Sequence, residues 1–268
     1  MNPVRSPRPA AASARSIALP ARAKVNLDLA VVRRRPDGMH DLRTRMQTVE
    51  LHDLLTAEPA GETSLTTTGF DLPPDVTNTV LSAHRAVEAA AERELPTSYF
   101  LHKRIPPGSG LGGASSDAAA ALRALATLYR LDVDLKPLAA RVGADVSFFL
   151  RGGAALIEGV GERVTPVDVE MSWFAIAWPG IELSTAAVYE AWDKLDRAEA
   201  TGPNQLRGAA GRVDERVDRF AEHLGEGWRM TGSGSAFFLA CPDREDAEDA
   251  VRKLDCWTAV ARPVGAWA

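Results

Sequence analysis

Apolar positions along the 268-residue chain recur with two different periods, and each change of period marks a new element. From Ile17 to Val32 they alternate and then run on, with β-branched Val25, Val31 and Val32, which predicts one or two strands. Arg33 to His40 is a turn punctuated by Pro36 and Asp37-Gly38. Residues 43–70 predict further strands, broken at Glu58-Pro59-Ala60-Gly61. Val80, His84, Val87 and Ala91 then fall on one helical face, capped by Thr77 or Asn78 and running to about Glu94. A strand over Tyr99–Ile105 leads to a glycine-rich stretch, after which Ala118, Leu122, Leu125, Ala126 and Tyr129 keep helical spacing. A shorter helix is expected over 135–142, then a strand and turn over 152–162.

The second half repeats neither pattern nor motif. Trp173–Trp178 has the composition of a buried strand ending at Pro179-Gly180. Thr185 caps a helix with Val188, Trp192 and Leu195 inward, and one further helical stripe joins Val213, Val217, Phe220, Ala221 and Leu224. A glycine-serine turn at 231–235 feeds a strand, the last helix carries Ala247, Ala250, Val251 and Leu254, and a final strand lies near 258–261.

Composition narrows the class. At 46% hydrophobic and 25% charged, the chain is long enough for a substantial core in one large or two modest domains. A net charge of −5 gives no basic footprint for nucleic acid. No apolar run approaches the roughly 18 residues of a membrane span. The two cysteines, Cys241 and Cys256, have neither disulfide-framework density nor metal spacing, so a reducing, cytoplasmic setting is expected. Residues 1–16, with three arginines, three prolines and no acid, have the composition of a disordered extension. Their prolines argue against an amphipathic transit peptide.

Candidate chemistry concentrates in Pro106-Pro107-Gly108-Ser109-Gly110-Leu111-Gly112-Gly113-Ala114-Ser115-Ser116-Asp117. Four glycines within Gly108–Gly113 allow positive φ and close backbone approach to a ligand. Ser115, Ser116 and Asp117 offer cap side chains, and a loop feeding a helix N-terminus is an anion site. A flexible turn before a core helix is the plainer alternative. No lysine follows for a P-loop, and the acidic ribose partner of a dinucleotide fingerprint is missing.

Lys24 and Asn26 share one side of an apolar strand, either as a solvent edge or as buried groups needing partners. Asp145 stands between Gly143-Ala144 and the apolar Phe148-Phe149-Leu150. It can cap a helix beginning at Val146, or be a carboxylate whose pKa burial would raise unless a cation holds it ionised. His40 can be a structural histidine or a ligand contact; Lys103 can be a phosphate or base contact or an edge lysine.

Three separated elements together resemble the GHMP kinase superfamily, which includes galactokinase and homoserine, mevalonate and phosphomevalonate kinases. They are the Lys24-Val25-Asn26 strand, the Pro-x-x-x-Gly-Leu-Gly-Gly-x-Ser-Ser loop and the Thr231-Gly232-Ser233-Gly234 turn. Arg35 to His40, Gly143 to Phe149 and Gly152 to Glu162 resemble the branch that phosphorylates CDP-methylerythritol in the non-mevalonate isoprenoid pathway. The likeness spans about residues 20 to 240.

The resemblance implies an α+β, two-lobed fold: a ribosomal protein S5-like lobe over 17–157, a ferredoxin-like lobe over 158–268, and the active site in the cleft between them. ATP with Mg²⁺ is the implied cofactor, with no assigned metal ligand beyond Ser115 as a candidate. The implied roles are base for Asp145, which also contacts substrate, and charge stabiliser for Lys24. Backbone amides of Gly108, Ser109, Gly110, Leu111, Gly112, Gly113, Ala114, Ser115 and Ser116 would hold the ATP phosphates, with Pro106 also at the ATP site and Asn78 and Lys103 near the nucleotide. Asn26, Met39, His40, Tyr189, Thr231, Gly232 and Ser233 would contact the substrate, with Tyr189 stacking on cytosine and His40 on its hydrogen-bonding edge.

The likeness implies a small-molecule substrate, charge and hydropathy leave no nucleic-acid or membrane partner expected, and a monomer or weak homodimer is expected. Two positions depart from the branch. Met39 stands where an aromatic is usual, and Ser147 where proline is. A different alcohol substrate or a catalytically dead nucleotide-binding regulator are the competing readings.

Overall fold

The computed structural model describes residues 16–71, 78–169, 171–196 and 200–267. All but the last residue of the expected 1–16 extension lies outside that range. A first sheet contains β1 (Ile17–Asn26), β2 (Ala30–Arg34), β3 (His40–Pro59), β4 (Ser64–Gly69), β5 (Thr97–Lys103), β6 (Ala154–Gly159) and β7 (Arg163–Pro166). β3 is its spine: β1 and β2 pair with it, and so do β5 at one end and β6 at the other. Only the β4–β5 pair is parallel.

Helices α1 (Thr79–Ala91), α2 (Gly113–Leu128), α3 (Leu135–Val142) and α4 (Val146–Arg151) pack on this sheet around Leu55, Tyr99, Leu122, Leu125 and Phe148. Each such side chain contributes on the order of 2 kcal/mol by leaving water. The first sheet continues through β7 to Pro166, so a lobe division at 157/158 would cut β6.

The second sheet is antiparallel, in the order β11 (Trp257–Ala261), β8 (Trp173–Trp178), β10 (Phe237–Cys241), β9 (Arg229–Met230). Helices α5 (Thr185–Trp192), α6 (Arg207–Val213), α7 (Arg216–Leu224) and α8 (Arg244–Val251) belong to this half. The stripe expected to be one helix from Val213 to Leu224 is two. Asp214 ends α6 in extended backbone (φ −148°), and its Oδ1 accepts the Arg216 amide as α7 begins. A Ser184 side chain, not Thr185, caps α5.

The two halves meet over a shared apolar seam. Ala23 and Val25 from β1 and Leu27 just after it pack with Ile105 and Leu111 against Phe174, Ile176 and Phe238 of the second sheet. Because side chains alternate along a strand, burying Ala23 and Val25 there turns Lys24 and Asn26 to the other face. That face borders the cavity between the halves.

Candidate active site

The glycine loop joins β5 to α2 and is held at both ends by fully buried Ile105 and Leu111. Ser109 Oγ donates to Pro106 O (2.6 Å), while Ser109 O and Gly108 O accept amides from Ala236 (2.9 Å) and Leu183 (3.2 Å) of the second half. Gly110 (φ +78°) and Gly112 (φ +76°) need glycine for two reasons, conformation and space. A Cβ on Gly110 would lie 2.3 Å from Thr231 O, and one on Gly112 would lie 2.8 Å from Phe149 Cζ.

α2 starts at Gly113 with Gly112 as its N-cap, two residues before the first of the capping side chains expected at Ser115, Ser116 and Asp117. The amides of Gly112, Gly113, Ala114 and Ser115 are therefore the ones without an intrahelical acceptor. The Ser116 amide already donates to Gly112 O (3.0 Å), and its side chain is buried away from the cleft.

Lys24 and Asp145, 121 positions apart by number, converge beside that helix end. Lys24 is almost fully buried, and its Nζ donates to Asn26 Oδ1 (2.5 Å) and Gly110 O (2.6 Å), with Asp145 Oδ2 at 3.9 Å. Burial lowers the Lys24 pKa, and the Asp145 charge opposes that shift only in part. Asp145 is the N-cap residue of α4, yet its side chain makes no capping hydrogen bond and stays about one-quarter exposed. The carboxylate is left to the cavity. α4 begins at Val146 with serine at 147 in its first turn.

Asn26 is fixed from three sides. Its Nδ2 donates to Thr44 Oγ1 (2.8 Å), its amide donates to Thr231 Oγ1 (2.9 Å), and its Oδ1 accepts a hydrogen bond from Lys24 Nζ. Thr231 is thus buried as a support, and Gly232 and Ser233 face the opening instead. Ser233 Oγ lies 3.0 Å from Thr185 Oγ1 across the mouth.

At the other end, the rings of His40 and Tyr189 stack at 4.8 Å, with Trp192 edge-on to His40 at 5.5 Å. His40 Nε2 lies 2.8 Å from Asp193 Oδ1, and Arg34 pairs with the same carboxylate at 3.2 Å. Burial and the nearby Asp145 charge push the Tyr189 hydroxyl pKa up. Met39 is half exposed on the same rim.

Asn78 caps α1 through the Val80 amide (3.0 Å). Lys103 is no edge residue: it is buried, with its Nζ on Asp53 Oδ2 and on Asp117 Oδ2 (2.7 Å). Asp53 Oδ1 also accepts the Arg104 and Ile105 amides, at 2.5 and 2.8 Å. The second Asp117 oxygen has no partner, and burial pushes this carboxyl up to about 8 against the pull of Lys103.

These groups surround one cavity of about 840 Å³, near the upper end of roughly 300–1,000 Å³ for small-molecule sites. Of the residues singled out in the sequence, Leu111, Ser116 and Thr231 stay behind its wall and the rest line it. Residues missed in the sequence are Thr44, Asp53, Asp117 as an ion partner, and Asp193. An acid set among Leu51, Leu54 and Leu55 was a usable signal for Asp53. Asp193 lies four positions after Tyr189, one helical turn away on the same face. Among the described residues no helix is long and apolar enough to cross a membrane.

Two family models match this chain, "GHMP kinases N terminal domain" over residues 78–153 and "GHMP kinases C terminal" over 184–258. The class is therefore that of the GHMP kinases. A relative from Deinococcus radiodurans named 4-diphosphocytidyl-2-C-methyl-D-erythritol kinase is 48% identical over 177 residues, covering 64% of this chain and 59% of that protein. One of the same name from Ectopseudomonas mendocina is 36% identical over 88% of this chain and 86% of its own length.

A crystal structure of 4-(cytidine 5′-diphospho)-2C-methyl-D-erythritol kinase superposes with a TM-score of 0.77 at 36% identity, covering 93% of this chain and 99% of the other. Homoserine kinase from Cytophaga hutchinsonii shares the fold alone, with a TM-score of 0.64 at 18% identity over 95% and 96% of the two chains. The chain belongs to the 4-diphosphocytidyl-2-C-methyl-D-erythritol kinase family.

Proposed function

We propose that the protein transfers the terminal phosphoryl group of ATP to the 2-hydroxyl of 4-diphosphocytidyl-2-C-methyl-D-erythritol, with Asp145 as base and Lys24 as charge stabiliser. The observation that carries this reading is the approach of Lys24 and Asp145, 3.9 Å apart, to the open amides of α2. Phosphoryl transfer asks a protein chiefly for positioning and for compensation of charge.

The cradle fits a nucleoside triphosphate: the helix end offers four free amides, and glycine leaves the backbone bare where a Cβ would collide with Lys24 or Phe149. Among the described residues no group of three or more His, Cys, Asp or Glu is arranged to hold a metal ion. Magnesium would arrive on the phosphates, adding charge neutralisation, with Ser115 Oγ and Asp145 the nearby oxygens.

In this reading the substrate hydroxyl loses its proton to Asp145 as its oxygen bonds to phosphorus and the bond to the ADP oxygen breaks. Lys24 offsets the negative charge that builds during transfer. Asn26 and Gly110 O aim the ammonium, leaving little rotamer freedom for it to lose. The pyrimidine would lie at the His40–Tyr189 end, where Tyr189 offers a ring face and Met39 a polarisable thioether opposite.

The test is ATP consumption by purified protein with CDP-methylerythritol, set against mevalonate, homoserine and galactose. Turnover only with CDP-methylerythritol is expected. Turnover with one of the others alone would replace the substrate assignment, and tight ATP binding without turnover on any of them would point to a regulator.

A further inference from the structure

α4, whose N-cap is Asp145, has only six residues. Isolated helices shorter than about 12–15 residues are marginal, so what holds this one must come from outside it. Its final carbonyls have no acceptor role within the helix and need donors if they are buried. Each has one. Gly152 N donates to Phe148 O (2.8 Å), and Arg123 Nη1 donates to Leu150 O (3.2 Å). The other two donors both belong to Trp267: its indole Nε1 reaches Phe149 O (3.1 Å) and its amide reaches Arg151 O (2.9 Å).

The segment bearing Trp267 is itself secured. It follows β11 and crosses back to the first sheet, where Val264 N donates to Thr48 O (3.0 Å) and Val264 O accepts from Gln47 and Thr48, both at 3.1 Å. Ala266 bridges Gly152, and a Cβ on Gly153 would stand 2.8 Å from Ala266 N. The guanidinium groups of Arg22 and Arg123 lie over the Trp267 ring, 4.0 and 4.8 Å from its centroid. Burial, helped at Arg22 by repulsion from Arg123, lowers both pKa values. An aromatic ring face attracts cations through its quadrupole without adding net charge.

We propose that Trp267 is a positioning residue for the reaction, clasping the C-terminal end of α4 so that Asp145 at its other end is aimed at Lys24. The inference rests on the base role given to Asp145. Core packing of Val146, Phe148 and Phe149 seats α4 against its neighbours, the Trp267 donors hold its far end, and Phe149 also underlies Gly112. A small tilt therefore moves the carboxylate relative to the ammonium, and displacement of about 1 Å at a reacting group can cost up to 100-fold in rate.

The test compares Trp267→Ala, which removes ring and indole donor, with Trp267→Phe, which keeps a ring for the two arginines. Steady-state kinetics are read together with hydrogen exchange at the Phe149 and Gly152 amides. Trp267→Ala is expected to lower kcat roughly tenfold or more, leave KM for ATP within about twofold, and speed exchange at both amides. Trp267→Phe is expected to fall between it and the parent.

A folded Trp267→Ala protein with parental kcat overturns the proposal. So does a fall in kcat with unchanged exchange in α4, because the loss would then not run through this helix. If Trp267→Ala does not fold, Trp267→Phe decides: parental kcat together with parental exchange refutes the clasp. Should Asp145→Asn retain turnover, the base assignment fails on its own, whatever α4 exchange shows.

Discussion

Lys103 Nζ stands 2.7 Å from Asp117 Oδ2, joining the strand that enters the glycine loop to the helix that leaves it. Asp53 on the sheet spine takes the same ammonium and two amides of the entering strand's end. The two carboxylates are unequal: Asp53 has donors on both oxygens, whereas Asp117 keeps one oxygen bare. Asp117→Asn is expected to fold and keep turnover within about threefold, because an amide still accepts from Lys103. Asp53→Asn is expected to cost about 3–5 kcal/mol, the scale for breaking a buried ion pair. Denaturant melts of the two variants check this, and equal losses would remove the asymmetry.

The same group sets a pH dependence. Its folded pKa, pushed up to about 8, exceeds the unfolded value of 3.8, so the native state binds more protons between them. Its contribution is therefore fully present below the unfolded value and is lost as pH rises toward about 8. The Tm of Asp117→Asn relative to the parent is expected to rise steadily from about pH 5 to pH 8. A flat difference would mean that Asp117 is ionised throughout.

Lys24→Ala and Asp145→Asn are each expected to lower kcat at least 100-fold, the scale of a positioned acid–base group. Single-turnover phosphoryl transfer measures the chemical step directly. Near-parental rates in Asp145→Asn would remove the base.

Gly112→Ala asks for a side chain at φ +76° with Phe149 Cζ 2.8 Å from the new Cβ. The conformation alone costs more than about 1 kcal/mol, and the added methyl narrows the cradle. Weaker ATP binding by calorimetry, in a folded protein, is the expected result.

Tyr189→Ala removes the ring stacked on His40. KM for the cytidine-bearing substrate is expected to rise about tenfold, the worth of one aromatic stacking contact, with KM for ATP unchanged. Equal rises in both would separate Tyr189 from base recognition.

What the sequence disclosed followed local periodicity. Lys24 and Asn26 could be placed side by side because strand side chains alternate, and the structure joins them at 2.5 Å. Ser115, Ser116 and Asp117 look like caps for α2, but Gly112 at positive φ takes that role three residues before the expected run. Asp117 was freed by this for a pairing with Lys103 and Asp53 that depends on three separate elements meeting. The His40–Asp193 contact spans 153 positions, and Trp267 reaches α4 across 118. No window of sequence contains either pair.

β3 touches strands drawn from residues 17 to 159, and Thr48 near its middle also accepts Val264, 216 positions away. Few of these pairings can form between near neighbours, and long loops must close before any of them is rewarded. Refolding from denaturant is accordingly expected to be slow, with sticky unpaired strands exposed in the meantime. Recovery of native protein will then improve on dilution or with a chaperone holding the first half until the last segment docks.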